Sequence, residues 1–207
     1  MIDIIKILWA LVIGYFLGAL NAGVIVGKIY GKDIREHGSK SAGLTNTLRV
    51  LGKSAAALVL LGDVAKGVIA CYIGLRLGAD VYSGTNGDSI TLLAAGAGAI
   101  IGHNWPLYFG FKGGKGALTG IAVLFMFDWR MAFICISLFI LVVAFTRYVS
   151  LGTILATTCF FIISFLPYFG HTFYFNIFAL LMAFIIIFKH RLNVHRLLSG
   201  TENKFSF

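Results

Sequence analysis

Charge, proline and cysteine are all scarce in this sequence. Asp, Glu, Lys and Arg make up 12% of its 207 residues, about half of the share usual in soluble domains, and there are only two prolines. Cys71, Cys135 and Cys159 stand inside apolar stretches, without the spacing of a disulfide framework or of a metal site. We expect these cysteines to be packing residues, which argues against a thiolate nucleophile.

Apolar residues are correspondingly abundant. They make up 59% of the chain, and the mean hydropathy is +0.92. A core of this size cannot hide that much apolar surface, so the chain needs a bilayer. The composition therefore excludes a soluble domain, a disordered chain and a coiled coil. It predicts an all-α integral membrane protein with one membrane-embedded domain over residues 1–207.

Seven apolar stretches are predicted to cross the membrane as helices. Residues 7–27 carry no charge and are long enough for a hydrocarbon core of about 30 Å. This stretch lacks a small-residue cleavage site and Asp3 flanks it, so we expect a retained helix rather than a signal peptide. Asp128-Trp129-Arg130 interrupts the middle of the chain, where two short helices or one long broken segment are both allowed. We predict two. The other spans are residues 54–75, 89–111, 116–127, 131–146, 149–170 and 172–188.

The distribution of basic residues predicts the orientation. With seven spans, one side of the membrane receives residues 28–53 and 112–115, Arg147 and the tail, which together hold 13 of the 17 Lys and Arg residues. Basic residues concentrate on the cytoplasmic side, so this side is predicted to be cytoplasmic and the N-terminus to lie outside. A single span over residues 116–146 would place the basic tail outside, which fits less well.

The first polar segment, residues 28–53, is longer than a connector between two spans needs to be. Its small and hydroxyl-bearing residues can present backbone N–H groups and short donors to an anion, and a guanidinium adds a bidentate partner. We predict a phosphate site here, although a basic loop beside anionic lipid headgroups would have a similar composition. The candidate residues are Gly38, Ser39, Gly43, Thr45, Asn46 and Arg49.

The second polar segment, residues 102–116, ends in Gly113, Gly114, Lys115 and Gly116. Glycines let the backbone and the lysine ammonium approach an anion closely, although the spacing is not that of a Walker motif. A turn at the membrane interface with one snorkelling lysine is the alternative. His103 is a candidate substrate ligand, or a residue that merely helps to end the third span.

The third polar segment is the tail after the last span. A helix there would align His190, Asn193 and Arg196 along one face, which brings together a titratable base, an amide and a guanidinium. Basic residues that anchor a last helix are the alternative interpretation.

Asp63 and Lys66 lie inside the second span, where ionisable groups are costly unless they are paired. Their i, i+3 spacing allows a structural ion pair, which we favour over direct contact with a substrate.

Together the segments resemble the bacterial acyl-phosphate:glycerol-3-phosphate acyltransferases, the PlsY family. The family motifs have the forms GSGNxGATNxxR, GHxxPxFxxFxGGKGxxT and HxxNxxRLxxGxE. The first is matched by Gly38, Ser39, Gly43, Thr45, Asn46 and Arg49, with Lys40, Ser41 and Leu44 as departures. The second is matched by Gly102, His103, Pro106, Phe111, Gly113, Gly114, Lys115, Gly116 and Thr119, with Tyr108 at the first aromatic position. The third is matched by His190, Asn193, Arg196, Leu197, Gly200 and Glu202.

The resemblance implies a reaction in which the primary hydroxyl of glycerol 3-phosphate attacks an acyl phosphate. The products are 1-acylglycerol 3-phosphate (lysophosphatidic acid) and phosphate, and the acyl tail would lie in a groove between spans. As catalytic residues it implies Ser39, Lys115, His190 and Asn193. As substrate-binding residues it implies Gly38, Gly43, Thr45, Asn46, Arg49, His103, Gly113, Gly114, Gly116 and Arg196. Either His190 or the donor's own phosphate could be the base.

The expected partners are these two small substrates and membrane lipids, with no nucleic acid and no cofactor. The expected location is the bacterial cytoplasmic membrane, with the site facing the cytoplasm. No metal is expected, because Asp33 and Glu36 are the only close carboxylate pair on that face and no His/Cys cluster has ligand spacing. A transporter of a phosphorylated anion is the alternative, but transporters tend to bind at mid-membrane between internal repeats, and no repeat is visible here.

Overall fold

The computed structural model describes residues 4–78 and 89–205, which fold into helices and loops without a β-strand in these ranges. Asp3 lies outside the described residues. The helices are α1 (Ile4–Ala19), α2 (Ala22–Ile29), α3 (Leu44–Leu51), α4 (Lys53–Leu77), α5 (Ile90–Asn104), α6 (Ala117–Phe127), α7 (Trp129–Thr146), α8 (Val149–Ile163), α9 (Phe173–Lys189) and α10 (Arg191–Leu198).

Three segments of the described chain are long and apolar enough to cross a membrane. They are Ile4–Ile29, which combines α1 and α2, then Lys53–Leu77 and Trp129–Thr146. A fourth is added if α9 and α10, which meet at an angle of 59°, count as one broken span. Helices α6 and α8 are apolar but shorter than 18 residues, so helix length by itself does not establish seven crossings.

Residues 116–146 fold as two helices, as predicted. Asp128 separates them because its carboxylate accepts hydrogen bonds from the backbone N–H groups of Arg130 and Met131 and thereby caps α7. The first span is also divided, since Asn21 caps α2 by accepting a bond from Val24 N at 3.1 Å. In both cases a single polar residue within an apolar stretch caps the next helix and so sets the position of the break.

Two predicted spans are too long at their C-terminal ends. Helix α5 ends at Asn104 rather than at residue 111, two residues before Pro106, and a 3-10 turn over Leu107–Phe109 follows. Helix α8 ends at Ile163 rather than at residue 170, and turns around Pro167 occupy the remainder. Hydropathy overestimated the lengths of both helices, because the apolar sequence continues beyond the end of each helix into the turns that follow.

Helices α1 and α5 cross with their backbones in close contact. Gly14 and Gly18 of α1 lie against the backbone of Ala95 and Ala99, and a β carbon at either glycine would collide with that backbone. Small residues let membrane helices approach closely. The van der Waals packing that results holds the helices together, because the hydrophobic effect does not drive helix association within lipid. The crossing fixes the C-terminal end of α5, from which His103 and Asn104 project.

The polar segments converge at one end of the helix bundle. Arg35 of the first segment donates to Phe109 O at 3.0 Å in the second, and Lys189 after the last apolar stretch donates to Asn104 O at 2.9 Å. At the opposite end, Asp128 lies 3.3 Å from His171 Nε2, and Arg130 stacks over Tyr168. The three segments that were predicted to carry chemistry are therefore neighbours in space.

Candidate functional site

Asn46 organises the first polar loop. Its Nδ2 donates to Ile34 O at 2.8 Å and Ser41 O at 3.0 Å, and its Oδ1 accepts a bond from Ser39 N at 2.8 Å. Gly38 adopts a φ of +58°, and a β carbon there would strike Asn46 Oδ1. The amide is thus engaged by the loop's own backbone, which holds Ser39 in place. A direct bond from Asn46 to a substrate stays a prediction.

A second tie joins this loop to the next segment. Asp33 accepts bonds from Arg35 Nε and Nη2 at 2.9 and 2.7 Å, and these bonds lower the pKa of the Asp33 carboxyl to about 2. The same guanidinium reaches Phe109 O and Lys112 O, at 3.0 and 3.3 Å. Arg35 therefore fastens the first polar segment to the second, a function that the motif patterns did not indicate.

The glycine-rich loop before α6 is held by the end of α5. Gly114 N donates to His103 O at 3.1 Å, and Gly116 adopts a φ of +80° as the N-terminal cap of α6. A β carbon at Gly113 would strike His103 O, and one at Gly114 would strike the His103 ring. Only glycines fit these two positions, because the loop lies directly on His103.

Lys115 extends from this loop to the third segment. Its Nζ donates to Asn193 Oδ1 at 2.7 Å. Burial lowers the pKa of Lys115 to about 8, and although Glu202 acts in the opposite direction, the positive charges of Arg196, Lys189 and Arg49 lower it further. The site therefore has a surplus of positive charge, which an anionic ligand would neutralise.

His190 lies at the bend between α9 and α10, buried at 4% exposure. Its Nδ1 donates to Ile186 O at 2.8 Å, because a carbonyl oxygen can only accept. Burial and the nearby Lys115 charge lower the pKa of His190 to about 4, so the ring is neutral near pH 7. A neutral ring that donates through Nδ1 leaves Nε2 as a hydrogen-bond acceptor.

Glu202 connects the members of the third segment. Its Oε1 accepts from Asn193 Nδ2 at 2.8 Å and from Ser150 Oγ of α8 at 3.0 Å, and its Oε2 accepts from Arg196 Nε at 2.8 Å. Burial alone would raise the pKa of Glu202, but these bonds lower it below the usual value. Arg196 is therefore paired with Glu202, and a contact between Arg196 and substrate stays a prediction.

Glu202 and Ser150 were not among the predicted site residues. The glutamate ends the third motif, which was the signal that could have identified it. Ser150 lies far from the motifs in sequence and is brought to the site only by the packing of α8.

The pairing predicted between Asp63 and Lys66 is confirmed, with 2.7 Å between Oδ1 and Nζ. His103 joins the pair, since its Nδ1 lies 2.8 Å from Lys66 Nζ. All three side chains are buried beneath the glycine-rich loop.

A cavity of about 370 Å³ opens among these groups. Its polar part is lined by Ser39, Thr45, Arg49, Asp63, His103, Lys115, His190, Asn193 and Glu202. Its apolar part extends between α6, α7, α8 and α9 and is lined by Leu124, Cys135, Ile136, Phe139, Phe160, Phe178 and Met182. The cavity therefore combines a polar mouth, in which cationic side chains predominate, with an apolar arm that suits a hydrocarbon chain.

Across residues 4–78 and 89–205, no group of three or more His, Cys, Asp or Glu side chains is arranged to hold a metal ion.

Comparison with known proteins assigns a family. The family model for glycerol-3-phosphate acyltransferase matches residues 8–200. A glycerol-3-phosphate acyltransferase of Halalkalibacterium halodurans is 44% identical over 95% of this chain and 94% of its own length. One from Fusobacterium nucleatum is 39% identical over 95% and 97%.

Two solved structures share the fold. Both are crystal structures of PlsY (YgiH), an integral membrane glycerol 3-phosphate acyltransferase. The glycerol 3-phosphate form has a TM-score of 0.88 and 34% identity, and the match covers 97% of this chain and 96% of that chain. The lysophosphatidic acid form has a TM-score of 0.85 and 33% identity, with 97% and 95% covered.

Proposed function

We propose an acyl-phosphate-dependent reaction for this chain, which belongs to the glycerol-3-phosphate acyltransferase family. A fatty acyl group passes from acyl phosphate to the sn-1 hydroxyl of glycerol 3-phosphate, giving lysophosphatidic acid and phosphate in the first step of phospholipid synthesis. The observation that carries the proposal is the cavity, whose cationic mouth adjoins an apolar arm. An acyl phosphate has the same two parts.

The mouth supplies two groups of anion donors. Lys115 and the backbone of residues 113–116 neutralise the phosphate of the acyl donor. Arg49 and Thr45 of α3, with Ser39 and the turn at Gly43, face the cavity from the first polar segment and bind glycerol 3-phosphate. The glycerol 3-phosphate and lysophosphatidic acid forms of the related structures support glycerol 3-phosphate as a substrate and lysophosphatidic acid as the product.

The chemical step needs no covalent enzyme intermediate. The hydroxyl oxygen forms a bond to the acyl carbon, the bond from that carbon to the phosphate oxygen breaks, and the phosphate leaves with the electron pair. His190 Nε2 accepts a hydrogen bond from the hydroxyl and orients it. A His190 pKa of about 4 makes the ring a weak base, so the departing phosphate, which becomes more basic as its bond to the acyl carbon breaks, takes the proton.

Asn193 is held between Lys115 and Glu202, so it fixes the ammonium relative to His190 one turn earlier on the chain. Precise placement of these groups lowers the barrier by orientation and by preorganised charge, which suits a reaction with a good leaving group.

We further propose that the chain crosses the bacterial cytoplasmic membrane seven times, through α1 with α2, then α4, α5, α6, α7, α8 and α9. The N-terminus lies outside and the site faces the cytoplasm. The bacterial relatives support the compartment. The gathering of 13 basic residues on the side of the membrane that carries the site supports the orientation.

A comparison of acyl donors tests the reaction. Purified protein is given glycerol 3-phosphate with acyl phosphate, acyl-CoA or acyl-carrier protein in turn, and lysophosphatidic acid is quantified. We expect product only from acyl phosphate. Equal turnover of acyl-CoA would refute the donor assignment. Flux of glycerol 3-phosphate into proteoliposomes without any acyl transfer would instead support a transporter.

The two cationic residues should have different kinetic effects. Lys115→Ala should lower kcat by about 100- to 1,000-fold, because it removes a charge that meets the developing negative charge of the leaving phosphate. Arg49→Ala should chiefly raise KM for glycerol 3-phosphate, whose charge does not change in the reaction. Steady-state kinetics separate these effects.

Lys112→Ala, in the same loop but with an exposed side chain, is the matched control and should behave as the parent. A folded Lys115→Ala protein with normal turnover would contradict the site.

The low pKa of Lys115 predicts an alkaline limb in the activity profile. Burial brings this pKa to about 8, so the ammonium is charged below that pH and is lost as the pH rises. The value of kcat/KM for acyl phosphate, which reports the free enzyme, should fall about tenfold per pH unit above it. In Lys115→Arg the guanidinium stays charged, so the limb should disappear, although the rate is lower because a planar fork fits a tight glycine loop poorly. An unchanged limb in this variant would assign it to another group.

Cysteine labelling tests the orientation. In a variant with Cys71, Cys135 and Cys159 replaced by serine, single cysteines are introduced as Lys40→Cys, Lys204→Cys or Arg130→Cys. An impermeant thiol reagent applied to intact cells should label only the last. Labelling at positions 40 or 204 before lysis would show that the proposed orientation is wrong.

A further inference from the structure

A buried cluster of charged and ionisable side chains lies directly beneath the glycine-rich loop. Lys66 Nζ lies 2.7 Å from Asp63 Oδ1 and 2.8 Å from His103 Nδ1, and it approaches Leu20 O at 3.4 Å. The side chains of these three residues are at most 4% exposed. Burying an ion pair is costly, and apolar residues of similar volume are often as stable, so stability alone does not explain the cluster.

The contact between Lys66 and His103 fixes the proton on the imidazole. An ammonium group has three donors and no acceptor, so at 2.8 Å Lys66 must donate and His103 Nδ1 must accept. A neutral imidazole carries one proton, which is therefore on Nε2. This is the opposite tautomer from that of His190, whose Nδ1 carries the proton.

The protonated edge of His103 faces the loop. A β carbon on Gly114 would strike His103 Nε2, while Gly114 N is bonded to His103 O. His103 also lines the cavity, next to the loop that presents Lys115. The ring therefore lies between the buried ion pair and the space assigned to the phosphate of the acyl donor.

We propose that Asp63 and Lys66 are positioning residues that hold His103 in its Nε2–H tautomer, so that the ring offers a fixed hydrogen-bond donor to the phosphate at the glycine-rich loop. The inference rests on the proposed function for the identity of that anion. Lys66 donates the hydrogen bond that Nδ1 accepts, and Asp63 balances the lysine charge. In the other tautomer, the lone pair of Nε2 would face the phosphate and repel it.

The test replaces the ion pair by apolar side chains of similar size. The double variant Asp63→Leu/Lys66→Met removes both charges at once, so no unpaired charge is left buried and the fold should survive. Thermal unfolding in detergent checks this. The double variant Asp128→Asn/Arg130→Met removes both charges of an ion pair at the opposite end of the bundle, keeps a capping side chain on α7, and is the control for loss of a charge pair.

Two measurements are made on the folded double variant. Long-range ¹H–¹⁵N correlation spectra of ¹⁵N-histidine protein, assigned with His103→Gln, report the tautomer. We expect a pure Nε2–H form in the parent and a mixture in the double variant. Kinetics should show KM for acyl phosphate raised in inverse proportion to the fraction of the Nε2–H form that remains, about twofold for an equal mixture, with kcat and KM for glycerol 3-phosphate close to the parent values.

Each alternative result overturns the proposal. A parent spectrum with the proton on Nδ1 refutes the tautomer, and an unchanged KM in a folded double variant shows that the pair is only structural. A raised KM with an unchanged tautomer shows that the pair acts by another route. The spectra do not depend on activity, so a parent protein that is inactive with acyl phosphate would refute the proposed function and leave the tautomer assignment to be judged by itself.

Discussion

The hydrogen-bonded chain from Lys115 through Asn193 to Glu202 is the interaction on which the site depends. It joins the loop before α6 to α10 and the tail, and Ser150 extends it to α8. Lys115, Arg49, Lys189 and Arg196 would repel one another at this end of the bundle, and the Glu202 carboxylate opposes that repulsion. The amide of Asn193 meets a cation with its oxygen and an anion with its nitrogen, so its orientation is fixed by charge.

Close backbone contacts support the hydrogen bonds between Lys115, Asn193 and Glu202. The glycine crossing of α1 and α5 sets the end of α5, and the loop of residues 113–116 lies on that end with no space for side chains. Any shift of α5 would therefore move His103, and with it the backbone that precedes Lys115. Glycine thus serves two purposes in this protein. It brings membrane helices together, and it brings the loop backbone against the His103 ring.

The sequence alone indicated which segments carry chemistry, because glycine, hydroxyl and basic residues are conspicuous in an apolar chain. It could not assign the individual bonds, which depend on tertiary contacts. Asn46 reads as a ligand in sequence but is bonded to its own loop, and Ser150 gives no local signal at all. Lys40 is a further case: it stands where the family motif has glycine, and its φ of +57° shows that the backbone there keeps the conformation that favours glycine.

In the proposed reaction, the acyl phosphate donor makes an activated nucleophile on the protein unnecessary. The donor already has a good leaving group, so the protein has to place two anions side by side and neutralise the charge that develops as one departs. Cys135 accordingly lines the apolar arm and is only 3% exposed. With a pKa of about 4, His190 is neutral near pH 7, and in the proposed reaction its Nε2 orients the substrate hydroxyl rather than deprotonating it. Lys115, with a pKa of about 8, retains its charge near neutral pH in the empty site, and a bound phosphate would raise that pKa and secure the charge during the reaction.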